Sequence, residues 1–308
     1  MSFLAQEFGI PVKTTAFKEH LREKKIAEKP KIVIDDTLRK ALKDFTYSYS
    51  SLEKILACPF LFYHQYILGI EPPEFMDDEE KINMHMGNFV HKFLQNMSTA
   101  RNYDNWEKLF DDLWESKENA ALRNIEGIEI YMLNAKIFLR EIYEDEKNSG
   151  EGMLFADNAL ACEKRFAGTI AGSYKIKGFA DRIVSIGEKT EIIDFKYSKN
   201  KAKFKLSEKT TVLQRFQEKN VLHPTAQLII YKYFNEAQGA RFYFLKETSE
   251  ERQMEIPEIN IAEAEDLMRA IKERLDEIIG SDELLPAHDC DECEYCRFQA
   301  LCGREDYY

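Results

Sequence analysis

The spacing of apolar residues changes from a helical period to an alternating one near residue 150. Between residues 84 and 150, apolar side chains recur every three or four positions, which is typical of helices that bury one face. The segments 159–170, 173–186 and 191–197 are rich in β-branched and aromatic residues and are separated by glycines. They predict three consecutive strands, so helices come first and a strand meander follows.

The rest of the chain alternates between the two patterns. Residues 225–236 and 261–279 have helical periodicity, and residues 240–246 are predicted to form a strand between them. We therefore predict an α/β fold with a mixed central sheet flanked by helices. The helical segment 84–150 would pack on this core as an insertion, and a cysteine-rich tail would follow it.

The N-terminal part has a different character. Residues 1–45 are charged and lack sustained periodicity beyond a possible helix at 15–29, so we predict an extension there and one domain over 46–308. Ser50 and Glu53 have the spacing of a capping box, which predicts the start of a helix that Pro59 interrupts or restarts.

The composition predicts a folded protein, and the lack of a recognisable targeting or membrane-spanning segment predicts a cytoplasmic one. A hydrophobic share of 44% with 12% aromatic residues excludes global disorder in a chain of 308 residues. No segment resembles a signal peptide, and none approaches the roughly 18 apolar residues that span a membrane. We therefore expect no membrane association.

The charge balance argues weakly against a protein that coats nucleic acid. Lys and Arg number 43 and Asp and Glu 55, which gives a net charge of −12, whereas such coating depends on cations that displace counterions from phosphates. An acidic enzyme can still hold DNA in a local groove. The lysine-rich residues 196–209 fit such a groove or a solvated loop about equally well.

Two acidic residues stand on either side of a predicted glycine turn. Asp181 comes six residues before Gly187 and Asp194 seven residues after it. Hairpin pairing would place the two carboxylates nearly opposite each other among apolar neighbours, where their charges repel. A divalent cation relieves this repulsion, since Mg²⁺ binds through one or two carboxylates. The pair therefore predicts a metal site.

Lys196 follows Asp194 by two positions, so the two side chains point to the same side of a strand. A lysine there can orient the attacking water or stabilise the charged phosphate, which suits phosphodiester hydrolysis with Mg²⁺ or Mn²⁺. An Asp–Lys ion pair at an exposed strand end is the alternative interpretation of this string alone.

Further polar residues are candidates for the same site. His91 follows two apolar residues on a predicted helix. An imidazole ligand there would increase the preference of the site for Mn²⁺ over Mg²⁺. Gln227 and Tyr231 lie one helical turn apart and can hold a DNA strand or a carboxylate. Glu163, on the first predicted strand, is a weaker candidate for an outer ligand or a base. The ordinary alternatives are a surface histidine, a polar helix stripe and a solvent-facing strand residue.

The six cysteines are unevenly placed, since Cys58 and Cys162 stand alone and the rest are close together. The clustered ones are Cys290, Cys293, Cys296 and Cys302. Without a secretion signal, a metal site is favoured over disulfides. Zinc and iron–sulfur sites both take four ligands, so the spacing does not choose between them, and the fourth thiolate is either Cys290 or Cys58.

A link that includes Cys58 would close a very long loop. Cys58 and Cys293 are 235 positions apart. By the chain-entropy model for cross-links, closing such a loop stabilises a fold by roughly 5 kcal/mol at most. Such a site would clip the two ends of the domain together.

In combination and in this order, the motifs resemble the RecB-like branch of the PD-(D/E)XK nucleases. They are most similar to the iron–sulfur C-terminal nuclease domain of AddB helicase–nuclease subunits, and the resemblance covers about residues 49–302. It implies a restriction-endonuclease-like core. Tyr197 stands where that family often has Thr, and Cys290 is an extra cysteine.

The resemblance implies a role for each matched residue. The implied metal ligands are His91, Asp181, Asp194 and the backbone carbonyl of Phe195. The implied catalytic and DNA-contacting residues, beside the two aspartates, are Lys196, Gln227 and Tyr231. The implied ligands of a 4Fe–4S cluster are Cys58, Cys293, Cys296 and Cys302.

The resulting hypothesis is a Mg²⁺- or Mn²⁺-dependent DNA exonuclease that acts on single strands or DNA ends in repair or recombination. No phosphate-loop motif is present, so a helicase subunit would supply any ATP-driven motor. One alternative is a catalytically silent DNA-binding or scaffolding module, which is disfavoured because every expected catalytic position is filled. The other alternative is a zinc-stabilised interaction domain.

Overall fold

The structure is a computed structural model that describes most of the chain between residues 30 and 302. The described residues are 30–70, 78–101, 103–149, 153–155, 158–199, 201–207, 210–257, 260–287, 293, 296 and 298–302. The helix predicted at 15–29 and Cys290 lie outside them.

Eight strands and eleven α-helices are found in the described residues. The strands are β1 (Ile32–Val33), β2 (Thr46–Tyr47), β3 (Ala159–Ile170), β4 (Tyr174–Ile186), β5 (Lys189–Lys196), β6 (Gly239–Phe244), β7 (Gln253–Glu255) and β8 (Glu283–Leu284). The helices are α1 (Asp36–Asp44), α2 (Tyr49–Ala57), α3 (Pro59–Phe62), α4 (Asp78–Ala100), α5 (Trp106–Glu115), α6 (Ala120–Arg123), α7 (Ile128–Ser149), α8 (Val212–Lys219), α9 (Thr225–Asn235), α10 (Ile261–Gly280) and α11 (Gln299–Cys302).

A mixed six-stranded sheet forms the centre of the fold. Its order is β2-β4-β5-β6-β7, with β3 also paired to β4. The β2–β4 and β5–β6 pairs are parallel, and the other pairs are antiparallel. The predicted α/β fold with a mixed sheet flanked by helices is confirmed.

One edge of β4 is interrupted. β3 runs along one edge, while the other edge pairs with β2 at Lys175 and Ile176 and with β5 from Arg182 onward. Between these contacts, residues 177–181 have no partner strand on that edge among the described strands. The candidate site lies at the β5 end of this gap.

The sheet separates two hydrophobic cores. Helices α1, α2, α9 and α10 pack on one face, and α4, α5 and α7 on the other. On β5, Ile192 belongs to the first core and its neighbour Ile193 to the second. Successive side chains on a strand point to opposite faces, so β5 is buried on both sides, which explains its continuous apolar run.

The long elements lie close to their predicted positions. The strands predicted at 173–186 and 191–197 are β4 and β5, with ends shifted by up to two residues. The helix predicted at 261–279 is α10, which begins after the N-cap Asn260. No helix in the described part of the chain is both long and apolar enough to cross a membrane.

The predicted capping box at Ser50 and Glu53 is wrong. Helix α2 begins at Tyr49, and its N-cap is Ser48. The Ser48 hydroxyl accepts the Ser51 amide at 3.2 Å, and the Ser51 hydroxyl accepts the Ser48 amide at 2.8 Å. A serine pair at the same three-residue spacing thus takes the role expected of Ser50 and Glu53.

The region predicted as an extension contains a helix that its pattern did not predict. Leu42 of α1 is fully buried in the first core, and α1 packs against α10. The Arg39 guanidinium donates to the carbonyls of Ile279 and Ser281 at the end of α10. The boundary between an extension over 1–45 and a domain over 46–308 stays a proposal.

Candidate active site

Asp181 lies where β4 and β5 separate. Arg182 pairs with Ile193 in the antiparallel register, so one further step sets Asp181 opposite Asp194. The Phe195 amide donates to Asp181 Oδ2 at 2.9 Å. This hydrogen bond fixes the carboxylate at the mouth of the gap in the sheet.

Three possible ligand atoms converge at this point. His91 reaches across from α4, and its Nδ1 is 3.6 Å from Asp181 Oδ2. Glu163 of β3 joins them, so that one atom from each of His91, Glu163 and Asp181 lies within 4.8 Å of the others. They line a small pocket together with Cys162 and Phe195.

Glu163 has an unusual backbone conformation. Its φ of 48° lies in the left-handed region, which side chains with a Cβ rarely adopt. By the register of the neighbouring pairs, Glu163 lies directly across from Asp181. Strain at such a position persists where the surroundings hold it, and it often marks a functional site.

We expect Glu163→Gly to make the apo protein more stable by about 1 kcal/mol, because glycine accepts a positive φ without strain. The same change should weaken Mn²⁺ binding. Thermal unfolding and calorimetric Mn²⁺ titration measure the two effects. Glu163→Gln is the control, since it keeps the strained backbone and removes only the charge. A glycine variant that is less stable and binds Mn²⁺ normally would contradict both expectations.

Asp194 is held by a different set of partners. Its side chain is buried, Lys196 Nζ lies 2.5 Å from its Oδ2, and Gln227 Nε2 donates to its Oδ1 at 3.0 Å. The same Gln227 nitrogen lies 3.3 Å from the Tyr231 hydroxyl, so α9 supports the aspartate through both residues. The rings of Phe204 and Phe242 lie beneath the Lys196 ammonium.

The electrostatics of the site favour a cation. Burial and the neighbouring Asp194 carboxylate raise the pKa of Asp181 well above its usual value. Burial lowers the pKa of His91, which keeps the imidazole neutral and able to bind a metal. Burial opposes the charge on Lys196, but the Asp194 carboxylate outweighs it, and the pKa of the lysine is raised.

Arg182, next to Asp181, is a buried structural residue. It is 1% exposed, and its guanidinium donates to Ser98 Oγ at 3.0 Å and to the Leu154 carbonyl at 2.8 Å. It therefore ties α4 and the segment before β3 to the strand that carries Asp181.

Arg182→Ala is expected to destabilise the fold by about 3 kcal/mol, because it leaves two buried acceptors without a donor and each costs about 1–3 kcal/mol. Chemical denaturation measures the loss. Arg165→Ala, at an exposed arginine of β3, is the control and should change stability little. A loss no larger than that of the control would contradict the structural role of Arg182.

Four thiols from the two ends of the domain lie together. Cys58, between α2 and α3, and Cys293 are buried. Cys58 packs with Cys296 and Cys302 around Phe298, and Cys293 lies close enough to Cys58 and Cys296 to add to the rise that burial causes in the pKa of both thiols. The Ala287 amide donates to Cys58 Sγ at 3.5 Å. Burial raises the pKa of Cys58, and the neighbouring Cys293 and Cys302 raise it further. The described cysteines form no disulfide.

The residues around Asp181 fit the predicted divalent cation, and the four thiols fit the predicted iron–sulfur cluster. Imidazole and carboxylates around a crowded pair of aspartates suit Mg²⁺ or Mn²⁺. Four thiols whose negative charges would repel each other suit a cationic centre such as an iron–sulfur cluster. Cys162 lies apart from this group, beside the acidic site.

The structure places the predicted residues in two groups. One group surrounds the β4–β5 gap and contains His91, Asp181, Asp194, Phe195, Lys196, Gln227 and Tyr231. The other contains Cys58, Cys293, Cys296 and Cys302. Glu163 was predicted only as a weaker candidate, but its carboxylate lies with His91 and Asp181 in one group of possible ligands. Its position opposite Asp181 in the predicted meander was the available signal.

Comparison with known proteins agrees with this geometry. The family model described as "PD-(D/E)XK nuclease superfamily" matches residues 46–303, which is well over half of the chain. No curated protein sequence matches the chain. A solved structure titled "Crystal structure of SSO0001" is 19% identical, covers 69% of this chain and 84% of its own, and has a TM-score of 0.30.

Proposed function

The chain belongs to the PD-(D/E)XK nuclease superfamily, and we propose that it is a Mg²⁺- or Mn²⁺-dependent DNA nuclease. Its preferred substrate would be single-stranded DNA or a DNA end, which it would digest as an exonuclease in repair or recombination. The proposal rests mainly on the proximity of His91, Glu163 and Asp181 to one another, beside the Asp194–Lys196 ion pair.

The residues of the site have complementary roles in this proposal. His91, Asp181, Asp194 and the Phe195 carbonyl hold the metal, and Glu163 adds a carboxylate beside them. When bound, a divalent cation supplies a Lewis acid that activates water and offsets charge on the phosphate. Lys196 contributes a fixed ammonium where negative charge develops during cleavage. Gln227 and Tyr231 keep Asp194 oriented and face the DNA.

The four thiols support a second part of the proposal. Cys58, Cys293, Cys296 and Cys302 would hold a 4Fe–4S cluster that clips residue 58 to the C-terminal tail. The cluster would be structural, since it lies in the small core around Phe298 and not in the group of residues around Asp181. A reducing cytoplasm, which we propose as the location, keeps these thiols available.

The resemblance to the nuclease domain of AddB subunits suggests that a helicase subunit is a partner. We propose that the chain is a RecB-like nuclease related to the nuclease domain of AddB subunits, and that a helicase subunit delivers DNA to it. A catalytically silent DNA-binding module is the second candidate. It is disfavoured because the acidic pair, the lysine and the histidine all lie together at the gap in the sheet.

Digestion of linear and covalently closed circular single-stranded DNA tests the proposal. Anaerobically purified protein is incubated with Mg²⁺, Mn²⁺ or EDTA, and labels at the 5′ or 3′ end report polarity. We expect metal-dependent digestion of the linear strand alone. Equal digestion of the circle would contradict exonuclease action. No digestion with either metal would favour the silent module.

A further inference from the structure

The outer half of the β3–β4 hairpin leaves one face of the sheet uncovered. Along β4, Tyr174, Ile176, Gly178 and Ala180 are buried, while Lys175, Lys177 and Phe179 alternate with them and are exposed. Directly opposite on β3 lie Thr169, Ala167 and Arg165, which are also exposed. Opposite residues of an antiparallel pair share a face. We call these six residues the hairpin face.

The hairpin face is cationic in an acidic protein. Residues 164–180 contain four basic residues and no acidic residue, whereas the whole chain has a net charge of −12. Arg165, Lys175 and Lys177 make no ion pair within the part of the chain that the structure describes. Their charges are therefore available to an anionic ligand.

An exposed aromatic ring stands at the inner end of this face. Phe179 is 49% exposed, although an aromatic ring normally buries most of its surface. It is two residues before Asp181 on the same strand, a rise of about 6.6 Å. Lys175 and Lys177 thus lie on one side of Phe179 along β4, and Asp181 lies on the other side, while Arg165 is directly across from Phe179 on β3.

The open edge of β4 lies beside the same residues. Residues 177–181, which include Lys177, Phe179 and Asp181, have no partner strand on the edge away from β3 among the described strands. An extended ligand that lies along the hairpin face can therefore reach Asp181, because no described strand covers this edge of β4.

We infer that the hairpin face binds a single strand of DNA and leads it to the Asp181 site. Arg165, Lys175 and Lys177 contact successive phosphates, and Phe179 stacks on the base next to the phosphodiester that is cut. Cationic grooves with aromatic stacking platforms are the general means of holding unpaired strands. A duplex offers no free base face to Phe179, so the face selects single strands. The inference rests on the proposed nuclease function and adds the surface that selects single strands and the path of the strand to the site.

Substitutions of Phe179 test the stacking contact. Affinity for a short fluorescent single-stranded oligonucleotide is measured by anisotropy in EDTA, where no cleavage occurs. Phe179→Ala should weaken binding about tenfold, equivalent to roughly 1.4 kcal/mol. Phe179→Trp should keep wild-type affinity, and Phe179→Leu should behave like alanine because it lacks a ring. Equal affinity of all four proteins would overturn the inference.

Substitutions of the lysines test the phosphate contacts. The double variant Lys175→Ala/Lys177→Ala should reduce the slope of log affinity against log salt by about 1.4, since each single-strand phosphate contact contributes about 0.7. Lys108→Ala/Lys117→Ala removes the same charge from exposed helical positions and should leave the slope unchanged. Equal slopes for the two double variants would overturn the proposed path.

A parallel cleavage assay separates failure of this inference from failure of the proposed function. If wild-type protein digests DNA with Mg²⁺ or Mn²⁺ while the Phe179 and lysine variants bind DNA normally, the path is wrong and the nuclease function stands. If wild-type protein binds single strands through this face but cleaves nothing, the nuclease proposal fails and the binding surface stands. Equal binding of duplex DNA would contradict selection for single strands.

Discussion

Asp181→Asn is expected to lower the rate of DNA cleavage at least a thousandfold, equivalent to roughly 4 kcal/mol of transition-state stabilisation. Asp181 lies close to both His91 and Glu163, so in the proposed site its loss removes a metal ligand. Asparagine has the same shape and can still accept the Phe195 amide. The rate is measured on labelled single-stranded DNA under saturating Mn²⁺.

The same variant should be at least as stable as the wild type without metal. Burial and the Asp194 charge raise the pKa of Asp181, so the ionised carboxylate is costly in the apo protein. Asp112→Asn, at an exposed position on α5, is the matched control; it should leave cleavage unchanged and stability almost unchanged, because its ion pair with Lys108 is exposed. An Asp181→Asn protein that cleaves within tenfold of the wild-type rate would show that the site is wrongly assigned.

Cys58→Ala is expected to prevent formation of the proposed iron–sulfur cluster and to destabilise the fold by several kcal/mol. The ceiling is about 5 kcal/mol, the value for a cross-link that closes a loop of this length. Cys58 is buried among Cys293, Cys296 and Cys302, so its loss leaves three thiols for a centre that takes four. Visible absorbance, iron content and thermal unfolding of anaerobically purified protein measure the effect.

Cys162→Ala provides the matched control, because Cys162 lies beside the acidic site and outside the thiol group. It should keep the absorbance, the iron content and the melting temperature of the wild type. A Cys58→Ala protein with full iron content and unchanged stability would remove Cys58 from the ligand set and leave Cys290 as the fourth ligand. Stoichiometric zinc in a colourless wild-type protein would replace the cluster with a zinc site.

The long elements were predictable because each repeats a pattern many times. The alternation and glycine turns of β4 and β5 place their ends within two residues of the prediction, and the periodic α10 is similarly close. Short elements carry too few residues for a period. The two-residue β2 and the three-residue β7 were not predicted, and the pairing of β2 creates one end of the gap beside Asp181.

The helix cap of α2, the backbone conformation of Glu163 and the burial of Arg182 could not be predicted from the sequence. Ser48, Ser50 and Ser51 are all suitable caps for α2, and only the backbone conformation selects Ser48. Glu163 has a positive φ, which its residue type does not predict, so the sequence alone gave Glu163 a low rank. Arg182 lies on a strand that could face solvent or core, and its burial follows from the helices packed on that side.

Anomalous scattering from crystals grown with Mn²⁺ tests the central claim most directly, because it locates the metal without relying on activity. We expect a single strong peak within bonding distance of His91 and Asp181, and its loss in crystals of Asp181→Asn. A peak elsewhere, or no peak at Mn²⁺ concentrations that support cleavage, would contradict a nuclease centre at the β4–β5 gap.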